Sequence, residues 1–519
     1  MDSKEILRFC LENGLLVDKE ILNLFSETKD VESVKLIINQ LKTQTNKKVL
    51  TKNLIIDNRD QVRKIFSNLP EENQKSLENL KIKLGLTLEI SKEISTENVI
   101  EDKLENKGGS VKVAHMAPCL SKKLEVNDFV KYFKGRLSKM SYHLQERPEL
   151  NGLVSINKIA GNRQGVSIIG LVSDKRVTKN KNIIFEIEDM TGKIKVLVNQ
   201  NKPELMEKAE EVALDSAIGI KGSGSREIIF ANDIIFPDSA LPERKKGNKD
   251  ECALFTGDLH IGSKLFMEDR FLKFVDYLNG KVPHTPEVSK IKYLFIVGDL
   301  IAGVGIYPGQ ENELVIPDVE DQYSKAAELL GKIRNDIKII ICTGNHDAVR
   351  IMEPQPVLDE KYAWPLYNLK NVVLVGNPVT VNIGENEGFS GFDVLMYHGY
   401  SFHYYADNIA RLMLEKASHQ PDKIAHYLLK NRHLAPTHSS TLYFPSENDQ
   451  FIIEKIPDIF ILGHLHKSAI SYYNNVLVVS SSSWESKTAF QEKMGNEPDF
   501  CKVPMFNLKT RAVKILDFE

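Results

Sequence analysis

No apolar run in this chain of 519 residues approaches the ~18–20 residues that cross a bilayer, so no membrane span is expected. Cysteine is scarce and unpatterned: Cys10, Cys119, Cys252, Cys342 and Cys501 are odd in number, and none belongs to a CxxC pair. That excludes a disulfide scaffold or a zinc finger and fits the reducing cytoplasm, the expected location. Charge of one sign is missing too. The 68 Lys+Arg against 71 Asp+Glu leave a net −3, which excludes a polybasic nucleic-acid coat and an acidic solvating tail, though not a local basic groove. The opening MDSKEILRFCLENG has no basic segment followed by an apolar one, so a secretory leader is not expected. What the chain has is length. At ~100–200 residues per domain it accommodates about three domains with ample material for a large core.

Apolar residues recur at helical spacing in the first ~50 positions: Ile6, Leu7, Cys10, Leu11, then Ile21, Leu22, Phe25, then Val34, Ile37, Ile38, Leu41. Asp18 and Asp30 fall where helix N-caps belong. The spacing predicts a small three-helix module for docking or stabilisation, within a helical domain over 1–70. Polar and charged residues then dominate to Lys123, and Gly108-Gly109-Ser110 breaks the chain, so 71–123 reads as a flexible linker. A helix is expected from Leu124 to about Pro148.

The period changes over 153–240. VSIIGLVSDKRVT, NIIFEIEDMTGKIKVLVN, AIGIKGSG and REIIFANDIIF read as strands, with a short helix from Pro203 to Glu211 between the third and fourth. That order fits a five-stranded OB barrel, and a second type of small β barrel stays open on pattern alone. Lys175, Arg176, Lys179 and Lys181 make a modest basic run, more in keeping with solvated loops than with a DNA-binding face. The helix and barrel together take 124–245.

From 246 to 519, strand-length apolar runs alternate with helical stretches, the pattern of an α/β domain whose site lies at its strand ends. Five of the runs end in metal-ligand chemistry: Asp258-Leu259-His260, Gly298-Asp299, Gly344-Asn345-His346-Asp347, His398-Gly399 and Gly463-His464-Leu465-His466. A paired divalent-metal site needs oxygen and imidazole donors and a carboxylate able to bridge. A DxH or HxH pair converges only where a strand ends and turns, and glycine beside each ligand permits close approach. Each fragment alone is weak; five in order, each after an apolar run, are not.

The series resembles the calcineurin-like metallophosphoesterase superfamily, whose pattern is DxH, GD, GNH(D/E), H and GHxH. GVGIYPGQENEL (303–314), HGYSF (398–402) and EPDFCKVPMFNLKTRAVKILDF (497–518) further resemble the small, exonuclease-bearing subunit of archaeal family D DNA polymerase. That family also places an OB barrel before the phosphoesterase domain, and the match spans roughly 125–519. The resemblance implies an α/β fold, a metallophosphoesterase β-sandwich flanked by helices, after an OB-type barrel and a small N-terminal helical domain. It implies two divalent ions, with Mn2+ expected and Mg2+, Fe and Zn as alternatives. Asp258, His260, Asp299 and His466 would hold the first ion, and Asp299, Asn345, His398 and His464 the second, with Asp299 bridging. His346 would lie over the scissile phosphate as the catalytic residue. The implied activity is 3′–5′ proofreading hydrolysis of DNA at a 3′ end. The implied partner is a large catalytic polymerase subunit, with a sliding clamp as a further contact. A catalytically weak scaffold subunit and a stand-alone repair phosphoesterase are the alternatives.

One departure stands out. Many superfamily members have GDxxD, whose second Asp orients the catalytic histidine; here Ala302 takes that place. Either another acid such as Asp347 orients His346, or the contribution of His346 falls. The stretch Tyr397 to His438 adds His403, His419, His426, His433 and His438, whose irregular spacing suits surface and groove positions better than a third metal site. Tyr404 and Tyr405 are candidates for stacking on an unpaired base, with core packing equally expected.

Overall fold

The computed structural model describes residues 3–18, 109–118, 122–162 and 164–519, with single positions between 22 and 50. It divides into two compact units, 1–103 and 104–519.

In the first unit, α1 (Ser3–Glu12) forms as the periodicity predicts, with Ile6 and Cys10 on its buried face. Phe25, Val34 and Ile38 are helical and buried, while the rest of the expected second and third helices lies outside the described residues. A minimal parallel pairing of β1 (Leu16–Val17) with β2 (Val49–Leu50) was not expected; two residues each are too few to show a period.

The second unit opens with β3 (Val111–Met116), which lies inside the stretch read as linker. It pairs antiparallel with β13 (Val379–Ile383) at the edge of a sheet, and its mostly exposed side chains explain why it resembled solvated chain. The rest of 71–123, except 109–118 and 122–123, lies outside the described residues. Next come α2 (Val126–Gln145) and a closed barrel of β4 (Gln164–Val177), β5 (Ile183–Glu188), β6 (Lys193–Val198), β7 (Ala217–Gly224) and β8 (Ile228–Ile235). The helix α3 (Pro203–Glu211) follows β6, with proline at its first turn, where the missing N–H costs nothing. The long β4 pairs with both β5 and β7, and β6 lies parallel to β8, so the barrel closes in the order 1-2-3-5-4 of an OB fold. Its interior is filled by Ile168, Phe185, Ile187, Val196, Ile218 and Ile220.

The remaining chain builds β9 (Cys252–Thr256), β10 (Ile291–Val297), β11 (Lys338–Cys342), β12 (Val372–Leu374), β13 (Val379–Ile383), β14 (Phe392–Tyr397), β15 (Ile459–Leu462), β16 (Ala469–Tyr473), β17 (Val476–Ser480), β18 (Lys502–Asn507) and β19 (Val513–Asp517). They form two six-stranded sheets, β12-β11-β10-β9-β18-β19 and β16-β17-β15-β14-β13-β3. Alternate residues of the apolar runs face opposite ways. Phe255, Phe295, Val394 and Ile461 fill the space between the sheets, while Leu254, Leu294, Ile296 and Ile341 pack with the helices α4 (Glu268–Leu278) and α5 (Val319–Leu330) outside. Burial on both faces is why these strands read as unbroken apolar runs. The parallel trios β9-β10-β11 and β14-β15-β17 bring the C-terminal ends of five ligand-bearing strands to one rim.

Candidate metal centre

Each motif begins one to three residues past a strand end, where the backbone leaves the extended region. Asp258, His260, Asp299, His464 and His466 all have φ between +49° and +70°. Side chains rarely tolerate that region, and such strain at roughly 1–3 kcal/mol per residue persists mainly where function holds it. Two glycines make room. A Cβ on Gly298 would lie 2.3 Å from Nδ1 of His398, and one on Gly344 would lie 2.2 Å from Oδ1 of Asp299.

The side chains gather into overlapping clusters, Asp258–His260–His466, His260–Asp299–His346 and Asp299–His398–His464, each with donor atoms within 4.8 Å of one another. In the first, Nε2 of His260 lies 3.1 Å from Nε2 of His466, and Oδ1 of Asp258 lies 3.5 Å from the latter. Asp299 joins the clusters through one oxygen. Its Oδ1 accepts the His346 backbone N–H at 2.8 Å, which leaves Oδ2 at 3.3 Å from His398 Nε2 and 3.9 Å from His260 Nε2. Asn345 Oδ1 lies 3.0 Å from His398 Nε2. The loops brace each other as well: the His464 N–H donates to Asp258, and so does the Ser481 hydroxyl.

The donor set fits divalent ions. Nδ1 of His398 donates to the Val297 carbonyl at 2.9 Å, so its Nε2 is the nitrogen turned to the oxygens of Asp299 and Asn345. Burial opposes charge on this imidazole, yet Asp299 pushes it up to about 10. Burial would likewise lift Asp299, but His398 and the neighbouring imidazoles hold it well below the carboxylate range. Positive charge is demanded where these groups meet. A cation supplies it as a proton does, and carboxylate, amide and imidazole together suit Mn2+, Fe or Zn.

His346 is oriented by an acceptor that the sequence hides. Its Nδ1 donates to the backbone carbonyl of Ala302 at 2.8 Å, and its ring meets His260 edge-on at 4.6 Å. Asp347 does not take this role. Its carboxylate accepts the backbone N–H of Gly344, and more weakly those of Leu300 and Ile301, holding the two ligand loops together. Burial and then Asp299 raise Asp347 to about 7.

Among the additional histidines, His403 and His419 line the cavity described below. His433 is neither at the surface nor in a groove: it is buried, donating to Asp449, which also pairs with Arg136. Beyond the three overlapping clusters named above, no further group of metal-ligating side chains comes together among the described residues. Tyr405 is fully buried with its hydroxyl donating to Ser440, whereas Tyr404 lines the cavity. Sequence reasoning missed Gln491, whose amide donates to Nδ1 of His466, and Glu485 on the cavity wall; neither belongs to a motif that spacing would reveal. In the barrel, Lys175 is held by the Glu210 and Val212 carbonyls, and Lys193 pairs with Glu186 and Glu188 on β5.

Over the clusters opens a cavity of about 750 Å³, within the range of ligand-binding sites.

A family model described as calcineurin-like phosphoesterase matches residues 253–468. The DNA polymerase II small subunit of Methanothermobacter thermautotrophicus is 38% identical over 398 residues, covering 76% of this chain and 80% of that protein. Its counterpart from Pyrococcus horikoshii is 36% identical over 469 residues, covering 87% of this chain and 73% of that protein. Against that of Pyrococcus abyssi, at 38% identity, the chain spans 63% of the relative's length. Among solved structures, an archaeal phosphodiesterase aligns over 51% of this chain and 98% of its own, with a TM-score of 0.26 and 10% identity, a likeness too weak to argue from.

Proposed function

Because the chain belongs to the family of archaeal DNA polymerase II small subunits, we propose that it is a metal-dependent 3′–5′ exonuclease that proofreads for a large catalytic polymerase subunit. The observation that carries this reading is the position of Asp299 Oδ2 between imidazoles of two clusters, 3.3 Å from His398 and 3.9 Å from His260. Asp258, His260 and His466 would hold one divalent ion, and Asn345, His398 and His464 the other, with Asp299 shared. Two such ions, when bound, lower the pKa of a water and neutralise the phosphate oxygens.

The chain's own residues do the rest. The Val297 carbonyl fixes the tautomer of His398 and presents its Nε2. The Ala302 carbonyl fixes His346 through Nδ1, leaving Nε2 for the substrate. From there a protonated His346 stabilises charge on the phosphate or hands its proton to the leaving 3′ oxygen, help typically worth ~10²–10⁴-fold. This hydrogen bond replaces the acceptor lost with the GDxxD aspartate, so Ala302 no longer favours a vestigial scaffold. Of the described helices, none is long and apolar enough to cross a membrane. A cytoplasmic location, DNA with a 3′ end and a sliding clamp as a further contact complete the reading.

The test is titration of Mn2+ into the purified protein on a 5′-labelled single strand. Stepwise shortening is expected. Release of phosphate from small esters alone would move the assignment to a different phosphoesterase, and no hydrolysis would favour a scaffold.

A further inference from the structure

Hydrolysis at a strand end requires that the end be held, and one wall of the cavity has rings that the metal clusters do not use. Tyr400 stands two residues after His398, His403 and Tyr404 follow Tyr400 by three and four around the start of α6 (Phe402–Asn408), and all three line the cavity. Tyr307, from the loop after Asp299, lines it too. The wall begins at the cluster itself, since Tyr400 and His403 lie 5.7 and 5.3 Å, centroid to centroid, from His464.

Their polar tips separate these rings from core aromatics. In the same segment, Tyr397 bonds Glu353 and Tyr405 bonds Ser440, as buried hydroxyls must. Tyr400, His403 and Tyr404 have no side-chain hydrogen-bond partner among the described residues, and His403 is exposed to the cavity. Rings with apolar faces and wet tips suit a ligand that is flat and partly polar.

Charge narrows the ligand. Glu313, Glu485 and Glu497 line the cavity, and the lysine among its walls, Lys467, is already engaged by the Glu497 carbonyl at 2.9 Å and Asp499 at 3.1 Å. A ligand held here by backbone phosphates would lack partners away from the metal clusters. A ligand held by base faces would not, because every base has a face and stacking is tolerant of sequence.

We propose that Tyr400, His403 and Tyr404 form a stacking subsite for the terminal nucleobases of single-stranded DNA, so that an unpaired end is selected by its accessible base faces. This rests on the exonuclease reading above and names the substrate feature which that site selects.

The test compares oligonucleotides whose 3′-terminal nucleotide is either base-bearing or abasic, cut by the full chain with Mn2+ under single-turnover conditions. The wild type is expected to cut the base-bearing end roughly tenfold faster, as the loss of a stacked base implies. In the doubly substituted His403→Ala/Tyr404→Ala protein that ratio should fall to near one, while Tyr404→Phe, which keeps the ring, should keep it. A readout without catalysis is a strand ending in 2-aminopurine, bound in EDTA. Stacking should quench its fluorescence with the wild type and Tyr404→Phe, but not with the double variant. An unchanged ratio and unchanged quenching in the double variant would overturn the subsite, as would a wild type with no base preference and no quenching. If the wild type quenches but shortens no strand, the subsite stands and the exonuclease reading fails.

Discussion

Asp299 belongs to two of the three overlapping clusters. Its Oδ1 is engaged by the His346 N–H and its Oδ2 is turned to two imidazoles, so the Asp299→Ala change removes the shared donor. Elemental analysis of the purified variant should find bound divalent ions falling from two towards none, with hydrolysis abolished and the circular dichroism spectrum retained. A variant that keeps its ions and works within a few-fold of wild type contradicts a shared ligand. His346→Ala separates binding from chemistry. Metal content should stay near wild type while turnover falls ~10²–10⁴-fold; loss of an ion would make His346 a ligand instead. The eight side chains singled out from spacing and resemblance do lie together, because short glycine-bracketed motifs at strand ends leave them little freedom. The Ala302 acceptor was illegible for a physical reason: a backbone carbonyl has the same chemistry at every residue, and only the fold decides which one an imidazole meets.

Among the elements, strands buried on both faces were plain in the sequence because nothing polar interrupts them. β3 was not, since an edge strand with five of its six residues exposed reads like solvated chain. The helix α2 was legible, but not what fixes it. Its Arg136 is buried, pairing with Asp449 at 2.6 Å and donating to the Asp215 and Pro436 carbonyls and to the Tyr132 hydroxyl. Arg136→Met would leave Asp449 uncompensated in the interior, at a cost of about 3–5 kcal/mol, and chemical denaturation should show it. The same cluster predicts a pH dependence. His433 donates from Nε2 to Asp449 and accepts the Ala435 N–H at Nδ1, so both nitrogens are satisfied only when it is neutral. Burial pushes His433 down to about 4, below its ordinary value. The unfolded chain then binds the proton more readily, so stability is fully present above pH ~6.5 and falls as pH drops towards 4, by at most ~1.4 kcal/mol per unit. His433→Gln should flatten that slope in urea titrations between pH 7 and 4; an unaltered slope places its origin elsewhere.

At the scale of the whole molecule, a barrel whose Lys175 and Lys193 are engaged with its own carbonyls and carboxylates stands beside a phosphoesterase rim where the donors converge. With a net charge of −3 the chain has no global attraction for DNA. Delivery of the strand would therefore fall to the large subunit, and selection of the end to the cavity. If the cavity takes the 3′ end as proposed, a matched end would have to unpair before entering, at a cost on the order of a few kcal/mol, and a mismatched end has lost much of that cost already. The most direct measurement is single-turnover cleavage, with Mn2+, of matched and mismatched primer–templates labelled at either the 5′ or the 3′ end. The account predicts shortening from the 3′ end alone, faster at the mismatch. Digestion beginning at the 5′ end, or equal rates on both substrates, would contradict it.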